Sequence, residues 1–264
     1  MGHDSPSEPT GCVRLSVSVR LSVVVPAFEE AAVIGETLAA LREGLAGVVP
    51  ADALELIVVD DGSGDSTVET ARAAGADRVI SLGENAGKGA AVRAGVLAAV
   101  GEAVVFTDAD LQYPPDRIAA VLARLDGGVG AVVARRCRTE EVPLRRLGTR
   151  AVSWLARRLV LGAVAGSDDL GADTQCGLKA FRRDVAQEVF GRCRVDRFGF
   201  DVEVLLLLTL LRVATAVEVV APAAGTRRST VRVVRDGAGI LRDLLRIRRW
   251  LRRGDYGVAA SSDA

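Results

Sequence analysis

The feature that most constrains this chain is a regular alternation of short apolar runs and helical patterns. Runs rich in Val and Ile predict strands, and longer stretches with apolar residues at helical spacing predict helices. Strands are predicted at residues 20–25, 54–59, 79–82, 103–107, 130–134 and 216–220. Helices are predicted at residues 29–45, 66–74, 87–100, 115–125, 145–165, 183–190, 200–213 and 236–253. This order predicts an α/β fold with a mainly parallel central sheet and helices on both faces.

The domain organisation follows from length and local composition. With 264 residues, 49% of them hydrophobic, the chain can bury one large core, which we expect over residues 18–235. Residues 1–17 are polar and rich in Ser, Pro and Gly, which predicts a disordered N-terminal tail. A basic amphipathic helix is expected over 236–253, and a second disordered tail over 254–264. The apolar run at 204–211 is far shorter than the ~20 residues that span a bilayer.

Acidic side chains follow two of the predicted strands, at the point where each strand ends. Asp108 and Asp110, with Gln112, come directly after the strand at 103–107, and Asp60 and Asp61 follow the strand at 54–59. Carboxylate and amide oxygens are hard ligands that suit Mg²⁺ or Mn²⁺. Open α/β sheets bind ligands at the carboxyl ends of their strands. The sequence therefore predicts a metal-assisted nucleotide site, although Asp60 and Asp61 alone could also form only a turn.

Charge is unevenly distributed although the net charge is zero. Residues 227–253 contain ten Arg against two Asp, and residues 135–158 contain eight Arg against two Glu. Such stretches indicate an anionic partner, namely a membrane surface, a lipid phosphate or nucleic acid. The single histidine, His3, lies in the predicted tail, and the four cysteines show no C-x-x-C spacing. A zinc site and a Ser-His-Asp triad are therefore not expected, and the cysteine pattern fits a reducing cytosol.

Two nucleotide-binding motifs can be excluded. Residues 85–89, with the sequence NAGKG, look like part of a P-loop, but Leu82 stands where the first glycine is needed. Gly89 also replaces the Ser or Thr that follows the P-loop lysine. No G-x-G-x-x-G follows a predicted strand. P-loop ATPase and dehydrogenase chemistry are therefore not supported.

A set of motifs in order resembles the family 2 glycosyltransferases of GT-A fold. These motifs are VVVPAFEE at 23–30, VVDDGS at 58–63, NAGKG at 85–89 and DADLQYPP at 108–115. Two more, DTQCGLKAF at 173–181 and RFGFDVE at 197–203, are similar to polyprenyl-phosphate glycosyltransferases of the dolichyl-phosphate β-glucosyltransferase type. The resemblance extends from about residue 21 to residue 250. It implies a GT-A catalytic domain over 18–235.

The resemblance also implies residue roles. The nucleotide sugar would be bound by a group of residues near the ends of the predicted strands: Pro26, Ala27, Glu30, Asp60, Asp61, Lys88, Asp108 and Ala109. The metal, Mg²⁺ or Mn²⁺, would be held by Asp108, Asp110 and Gln112, and the catalytic set would include Asp108, Asp110, Asp173 and Asp201. Arg136, Arg150 and Arg227 would hold the acceptor phosphate, although Ala134 and Arg135 depart from the family's usual Gly-Ser before that first arginine.

The expected reaction moves a sugar, with glucose from UDP-glucose preferred, to polyprenyl phosphate with inversion. A phosphate monoester has a second pKa of ~6, so it is a dianion at neutral pH and needs no general base. The expected partners are a nucleotide sugar donor, the polyprenyl phosphate acceptor and an anionic membrane surface, without nucleic acid. The expected location is cytoplasmic, peripheral at the cytoplasmic membrane face. Alternatives are mannose from GDP-mannose, a soluble acceptor, or an inactive nucleotide-sugar-binding membrane adaptor.

Overall fold

The computed structural model of the chain describes residues 18–137, 154–161, 176–221 and 233–258. The strands are β1 (Leu21–Ala27), β2 (Leu54–Asp60), β3 (Arg78–Ser81), β4 (Ala103–Phe106), β5 (Ala131–Arg136), β6 (Lys179–Arg182) and β7 (Thr215–Val220). The helices are α1 (Ile34–Leu45), α2 (Thr67–Ala73), α3 (Lys88–Ala98), α4 (Pro115–Asp126), α5 (residues 154–159), α6 (Arg183–Arg192), α7 (Phe200–Leu210) and α8 (Val233–Arg253). A 3₁₀ turn, Ala51–Ala53, precedes β2.

The strands form one seven-stranded sheet in the order β3-β2-β1-β4-β6-β5-β7. Strands β3, β2, β1 and β4 pair in parallel, and β5 pairs in parallel with β7. Strand β6 is antiparallel to both of its neighbours, β4 and β5. The sheet is therefore mainly parallel, and the predicted α/β class is confirmed.

Helices cover both faces of the sheet, because successive residues of each strand point to opposite sides. In β1, Val24 joins the apolar core that includes buried residues of α3, α5, α6, α7 and α8. Its neighbours Val23 and Val25 join the core on the other face, with residues of α1, α2 and α4. Every residue of β2 is buried, as expected for a central strand covered on both sides.

The sheet brings several chain segments to one edge. The parallel strands β1, β2 and β4 end there at Ala27, Asp60 and Phe106. Since β6 runs the opposite way, it begins at this edge with Lys179, which pairs with Phe106. Strand β5 ends at the same edge with Arg136, two strands from β4. We call this the carboxyl edge. Of the predicted site residues, Ala27, Asp60 and Arg136 end strands there, and Asp108 and Asp110 follow β4.

The structure differs from the sequence predictions in three places. Helix α1 begins at Ile34 rather than at residue 29, because Glu29 has a left-handed backbone (φ +55°) that a helix cannot contain. Strand β6 is absent from the predictions because its four residues, KAFR, carry a charge at each end and form no apolar run. Residues 254–258, assigned to a disordered tail, form a turn in which Tyr256 is 3% exposed. The predicted tail at 1–17 lies outside the described residues.

Candidate active site

The acidic motif after β4 is held in place by backbone hydrogen bonds. The Thr107 N–H donates to the Val24 carbonyl at 3.0 Å, which extends the pairing of β4 with β1. The chain then turns, with the Leu111 N–H donating to the Asp108 carbonyl at 3.1 Å and Leu111 at φ +43°. The Gln112 N–H donates to Asp110 Oδ1 at 3.2 Å. This turn keeps Asp108, Asp110 and Gln112 together at the carboxyl edge.

Lys88 forms an ion pair with Asp108, with Nζ 2.5 Å from Oδ1. It is the first residue of α3, and its side chain is about one quarter exposed. Burial alone would lower the pKa of Lys88, but the nearby carboxylates of Asp108, Asp201 and Asp110 outweigh burial and raise it. The sequence prediction placed this lysine near the nucleotide. In the structure it supplies a fixed positive charge among three acids.

Gly177 packs directly against the Asp108 carboxylate. A Cβ atom at this position would overlap Asp108 Oδ2 and come within 2.7 Å of Cγ. No other residue leaves this space open, so the glycine allows the backbone before β6 to lie beside the acid. Gly177 belongs to the 173–181 motif, but its role was not predicted.

Asp61 organises the 85–89 loop. Its Oδ1 accepts hydrogen bonds from the N–H groups of Ala86 (2.8 Å) and Gly87 (2.9 Å), and its own N–H donates to the Ala27 carbonyl at 2.8 Å. Burial raises the pKa of Asp61, partly offset by these backbone donors. Gly87 has φ +111°, a conformation that favours glycine. Asp61 thus joins β1, β2 and the start of α3.

Asp60 is engaged within its own turn. Its Oδ1 accepts from the Ser63 N–H at 3.0 Å, its Oδ2 accepts from the Ser81 hydroxyl at 2.9 Å, and it is 2% exposed. Of the two acids predicted at this strand end, Asp60 therefore fixes the turn and Asp61 shapes the loop that carries Lys88.

The loop after β1 is tied to the loop after β2. The N–H groups of Glu29, Glu30 and Ala31 donate to side chains of the second loop: the Ser63 hydroxyl, the Thr67 hydroxyl and the Asp65 carboxylate. The distances are 2.9, 2.9 and 3.2 Å. Pro26 and Ala27 precede this loop at the end of β1. The ends of β1 and β2, with Ala27 and Asp61, are therefore held side by side at the carboxyl edge.

Asp201 forms a buried ion pair that the sequence analysis missed. It lies in the first turn of α7, and its Oδ1 is 2.6 Å from Lys179 Nζ. Lys179 is fully buried and also donates to the Cys176 carbonyl at 2.8 Å. Burial raises the pKa of Asp201, and the positive charges of Lys179 and Lys88 oppose that rise. The carboxylate of Asp201 is therefore paired with Lys179 in the protein interior.

The predicted acceptor residues are only partly described. Arg136 ends β5 at the carboxyl edge, with its Cα paired to that of Val220 in β7, and it is partly exposed. Asp173, Arg150 and Arg227 lie outside the described residues.

The carboxylate oxygens of the turn after β4 are suitable ligands for a small divalent cation. In the parts of the chain that the structure describes, no three His, Cys, Asp or Glu side chains converge as a complete metal cluster. Mg²⁺, however, is usually held by one or two carboxylates together with substrate phosphates. Asp108 and Asp110 supply two carboxylates. Burial raises the pKa of Asp110, and the negative charge of Asp108 raises it further. A cation would relieve that repulsion, so the residues fit Mg²⁺ or Mn²⁺.

Helix α8 divides its apolar residues between two faces. Ile240, Leu244 and Ile247 are buried in the core, whereas Leu241 and Leu245 are 41% and 52% exposed. Leu245 and four arginines, Arg248, Arg249, Arg252 and Arg253, line a surface pocket. No helix within the described ranges is long and apolar enough to cross a membrane.

Comparison with known families gives a match over most of the chain. The family model described as "Glycosyl transferase family 2" matches residues 22–190. The dolichyl-phosphate beta-glucosyltransferase of Drosophila melanogaster is 35% identical over 223 residues, covering 75% of this chain and 65% of the relative. The human protein of the same name is 31% identical over 228 residues, covering 76% of this chain and 66% of the relative. The chain thus spans just under two thirds of the length of these relatives.

Solved structures of one enzyme share the fold. Glucosyl-3-phosphoglycerate synthase from Mycobacterium tuberculosis, in complex with Mg²⁺ and uridine diphosphate, gives a TM-score of 0.64 at 25% identity. Its complex with phosphoglyceric acid gives a TM-score of 0.64 at 26% identity. Each covers 92% of this chain and 81% of the solved chain. These likenesses agree with the predicted GT-A fold.

Proposed function

Because the chain belongs to glycosyl transferase family 2, we propose that it transfers a sugar from a nucleotide sugar to the phosphate of polyprenyl phosphate. The observation that carries the proposal is the arrangement at the carboxyl edge. Two acids at the end of β4, Asp108 and Asp110, lie with Lys88, and Arg136 ends a strand at the same edge. The first group suits a nucleoside diphosphate and the arginine suits a phosphate acceptor.

The nucleotide sugar is assigned to the carboxyl ends of β1, β2 and β4. Pro26, Ala27 and Glu30 would border the nucleotide together with Asp61. Asp108 and Asp110, with Gln112, would hold Mg²⁺ or Mn²⁺, which when bound neutralises charge on the departing nucleoside diphosphate. Lys88, paired with Asp108, would add a positive charge beside the nucleoside diphosphate. The complex of the mycobacterial synthase with Mg²⁺ and uridine diphosphate supports this donor class, and we propose UDP-glucose.

The transfer step needs no protein base. One oxygen of the dianionic acceptor phosphate attacks the anomeric carbon, and the bond from that carbon to the diphosphate oxygen breaks. The nucleoside diphosphate leaves with the bonding electrons, and the anomeric configuration inverts. Arg136, and Arg150 and Arg227 outside the described residues, would hold the acceptor. A GDP-mannose donor would follow the same course.

Helix α8 supports a membrane-surface site for the reaction. Its outward face carries Leu241 and Leu245 among arginines, a pattern that suits the interface of an anionic bilayer. Polyprenyl phosphate is a membrane lipid, so we place the enzyme peripherally at the cytoplasmic membrane face.

A second candidate acceptor is a soluble phosphate. Glucosyl-3-phosphoglycerate synthase from Mycobacterium tuberculosis, solved in complex with phosphoglyceric acid, shares the fold at 26% identity over 92% of this chain. That observation favours a small phosphorylated acid as the alternative acceptor.

The experiment that tests the proposal offers both acceptors to the same purified protein. Labelled UDP-glucose or GDP-mannose is incubated with Mg²⁺ or Mn²⁺ and either a short polyprenyl phosphate or 3-phosphoglycerate. We expect a glucosylated lipid to form at a much higher rate than glucosyl phosphoglycerate. Product with 3-phosphoglycerate alone would replace the lipid proposal with the soluble one, and no product with any pair would contradict both.

Arg136→Ala, with Arg135→Ala as a matched control, assigns the acceptor site. Adjacent residues of a strand point to opposite faces, so only one of the two arginines can face the acceptor. Losing one charge-assisted phosphate contact costs about 1.5–3 kcal/mol, or roughly tenfold or more in transfer efficiency. We expect that loss in Arg136→Ala, with donor binding retained and Arg135→Ala near wild type. A loss of donor affinity in Arg136→Ala would instead place this arginine in the nucleotide site.

A further inference from the structure

The segment that follows α8 returns to the helix beside the acidic cluster. The Tyr256 hydroxyl donates to Glu203 Oε1 at 2.7 Å, and both side chains are buried. Glu203 lies in the first turn of α7, two residues after Asp201. The other oxygen of Glu203, Oε2, accepts the N–H groups of Arg194 at 2.9 Å and Val195 at 2.8 Å. One buried carboxylate therefore joins the C-terminal segment, α7 and the loop before it.

The loop held by Glu203 supports the start of α3. The Ala90 N–H donates to the Asp196 carbonyl at 3.0 Å. A Cβ atom on Gly89 would approach the Val195 carbonyl oxygen to 2.6 Å, and one on Gly87 would approach the Asp196 carbonyl oxygen to 2.5 Å. The backbone at 195–196 thus lies directly against the two glycines that flank Lys88. Asp61 holds the same turn through the N–H groups of Ala86 and Gly87.

Helix α8 makes a second contact with the same turn of α7. Asp243 is 4% exposed and accepts a hydrogen bond from the Gly199 N–H, at the residue that precedes α7. A Cβ atom on Gly199 would lie 2.5 Å from Asp243 Cβ, so the two backbones are in close contact. Helix α8, through Asp243, and the segment after it, through Tyr256, therefore hold the start of α7 at two points.

We propose that Tyr256 is a positioning residue for the donor site, acting through Glu203 and the 194–196 backbone to set where Lys88 meets Asp108. This inference rests on the function proposed above. Lys88 lies between two glycines, Gly87 and Gly89, and glycine restricts the backbone less than other residues do. The position of Lys88 therefore depends on the residues that pack against this turn. Asp61 fixes one side of that turn, and the Glu203-bound loop fixes the other. Loosening the loop moves Lys88 and weakens binding of the nucleoside diphosphate.

The test compares Tyr256→Phe with Ser22→Ala. The first removes only a hydroxyl that donates to a buried carboxylate, while the ring stays packed against Trp250. The second removes another buried hydroxyl that donates to a buried carboxylate, that of Glu55, in the first half of β1 and away from the carboxyl edge. For each variant we measure the melting temperature, binding of UDP and of GDP with Mg²⁺ by calorimetry, and the KM for each substrate.

Both variants should lower the melting temperature, but only Tyr256→Phe should weaken nucleotide binding, by about tenfold, which is within the range of indirect effects carried through packed and hydrogen-bonded residues. Its KM for the acceptor should be unchanged. Glu203→Gln should weaken binding similarly, and the double variant should lose less than the sum of the two single losses. Equal nucleotide affinity in wild type and Tyr256→Phe overturns the proposal, as does an equal loss in Ser22→Ala. A wild type that binds neither nucleotide overturns the proposed function, and this inference with it.

Discussion

At the scale of single residues, the site depends on close approaches that only glycine permits. Gly177 lets the chain before β6 lie against the Asp108 carboxylate, and Gly87 and Gly89 let the 195–196 backbone lie against the turn that carries Lys88. The charged groups are thus positioned by backbone contacts rather than by long side chains. Small substitutions at these glycines should therefore affect function more than their size suggests.

Gly177→Ala should lower transfer activity by about tenfold or more, because the added methyl group displaces the Asp108 carboxylate and misplaced reacting groups cost large rate factors. The fold should survive, since Asp108 lies at the end of a strand and can shift toward solvent. The measurement is kcat/KM together with the melting temperature. Gly191→Ala is the matched control, because nothing lies within 4 Å of its Cβ position near the end of α6. Wild-type activity in Gly177→Ala would show that Asp108 need not hold its observed position.

The sequence predicts the charged residues at strand ends better than the charged residues whose partners lie far along the chain. Asp61, Asp108 and Asp110 each follow an apolar run, so the strand pattern alone places them at one edge. The Lys179–Asp201 pair joins residues 22 positions apart in two different elements, and no local pattern marks that contact. Tyr256 was assigned to a tail because its partner, Glu203, is 53 residues away. Contacts between residues so far apart in the chain can be identified only from the folded structure.

At the scale of elements, α8 has two roles that its periodicity does not separate. The sequence groups its apolar residues as one set. The structure buries Ile240, Leu244 and Ile247 against the domain and leaves Leu241 and Leu245 outward among arginines. One face thus completes the core, and the other is available to a partner.

Reversing four exposed arginines of α8 should abolish binding to anionic vesicles. Attraction to an anionic leaflet is worth about 1 kcal/mol per basic residue near the surface. Each reversal removes one attraction and adds one repulsion, so four reversals should cancel the attraction of the helix to the leaflet. The measurement is co-sedimentation of wild type and the Arg242/Arg246/Arg249/Arg253→Glu variant at low salt. Neutral vesicles are the control, and high salt should weaken wild-type binding. If both proteins pellet equally, or neither does, α8 is not the membrane contact.

Elements with clear periodicity were predicted to within a few residues, and those set by neighbours were not. Helices α3 and α4 and strand β2 agree closely with their predicted ranges. Strand β6 has no apolar run of its own, and it forms because β4 and β5 flank it on both sides. Helix α1 starts late because the N–H groups of residues 29–31 bond to the loop after β2. In both cases tertiary contacts decide the boundary.

At the scale of the whole molecule, several buried or half-buried carboxyl groups, at the site and behind it, have raised pKa values. Burial is the leading cause for each of Asp61, Asp110, Asp201, Glu203 and Asp243. Such groups bind protons more tightly in the folded chain than in the unfolded chain. Each therefore costs stability at a pH above its folded pKa.

The Glu203 contribution predicts how stability varies with pH. Its folded pKa lies above the ordinary value of 4.5, so lowering the pH through the folded pKa toward 4.5 should raise the free energy of unfolding. Glu203 faces Tyr256 and Cys193, with Arg93 contributing a positive charge. Glu203→Gln cannot take up this proton. Urea unfolding from about pH 7 to about pH 5 should show the wild type gaining stability relative to the variant. Parallel pH profiles would contradict the raised pKa.

The most direct test of the central claim, metal-assisted sugar transfer at the carboxyl edge, is the transfer rate of Asp110→Asn. The change replaces a charged ligand with a neutral one of the same shape, and Asp110 is not part of the core. With labelled UDP-glucose, Mn²⁺ and polyprenyl phosphate, we predict that wild type forms glucosyl lipid and that excess EDTA stops it. The variant should keep the wild-type melting temperature and lose nearly all transfer. Normal turnover by the variant, or full wild-type activity in EDTA, would contradict the assignment.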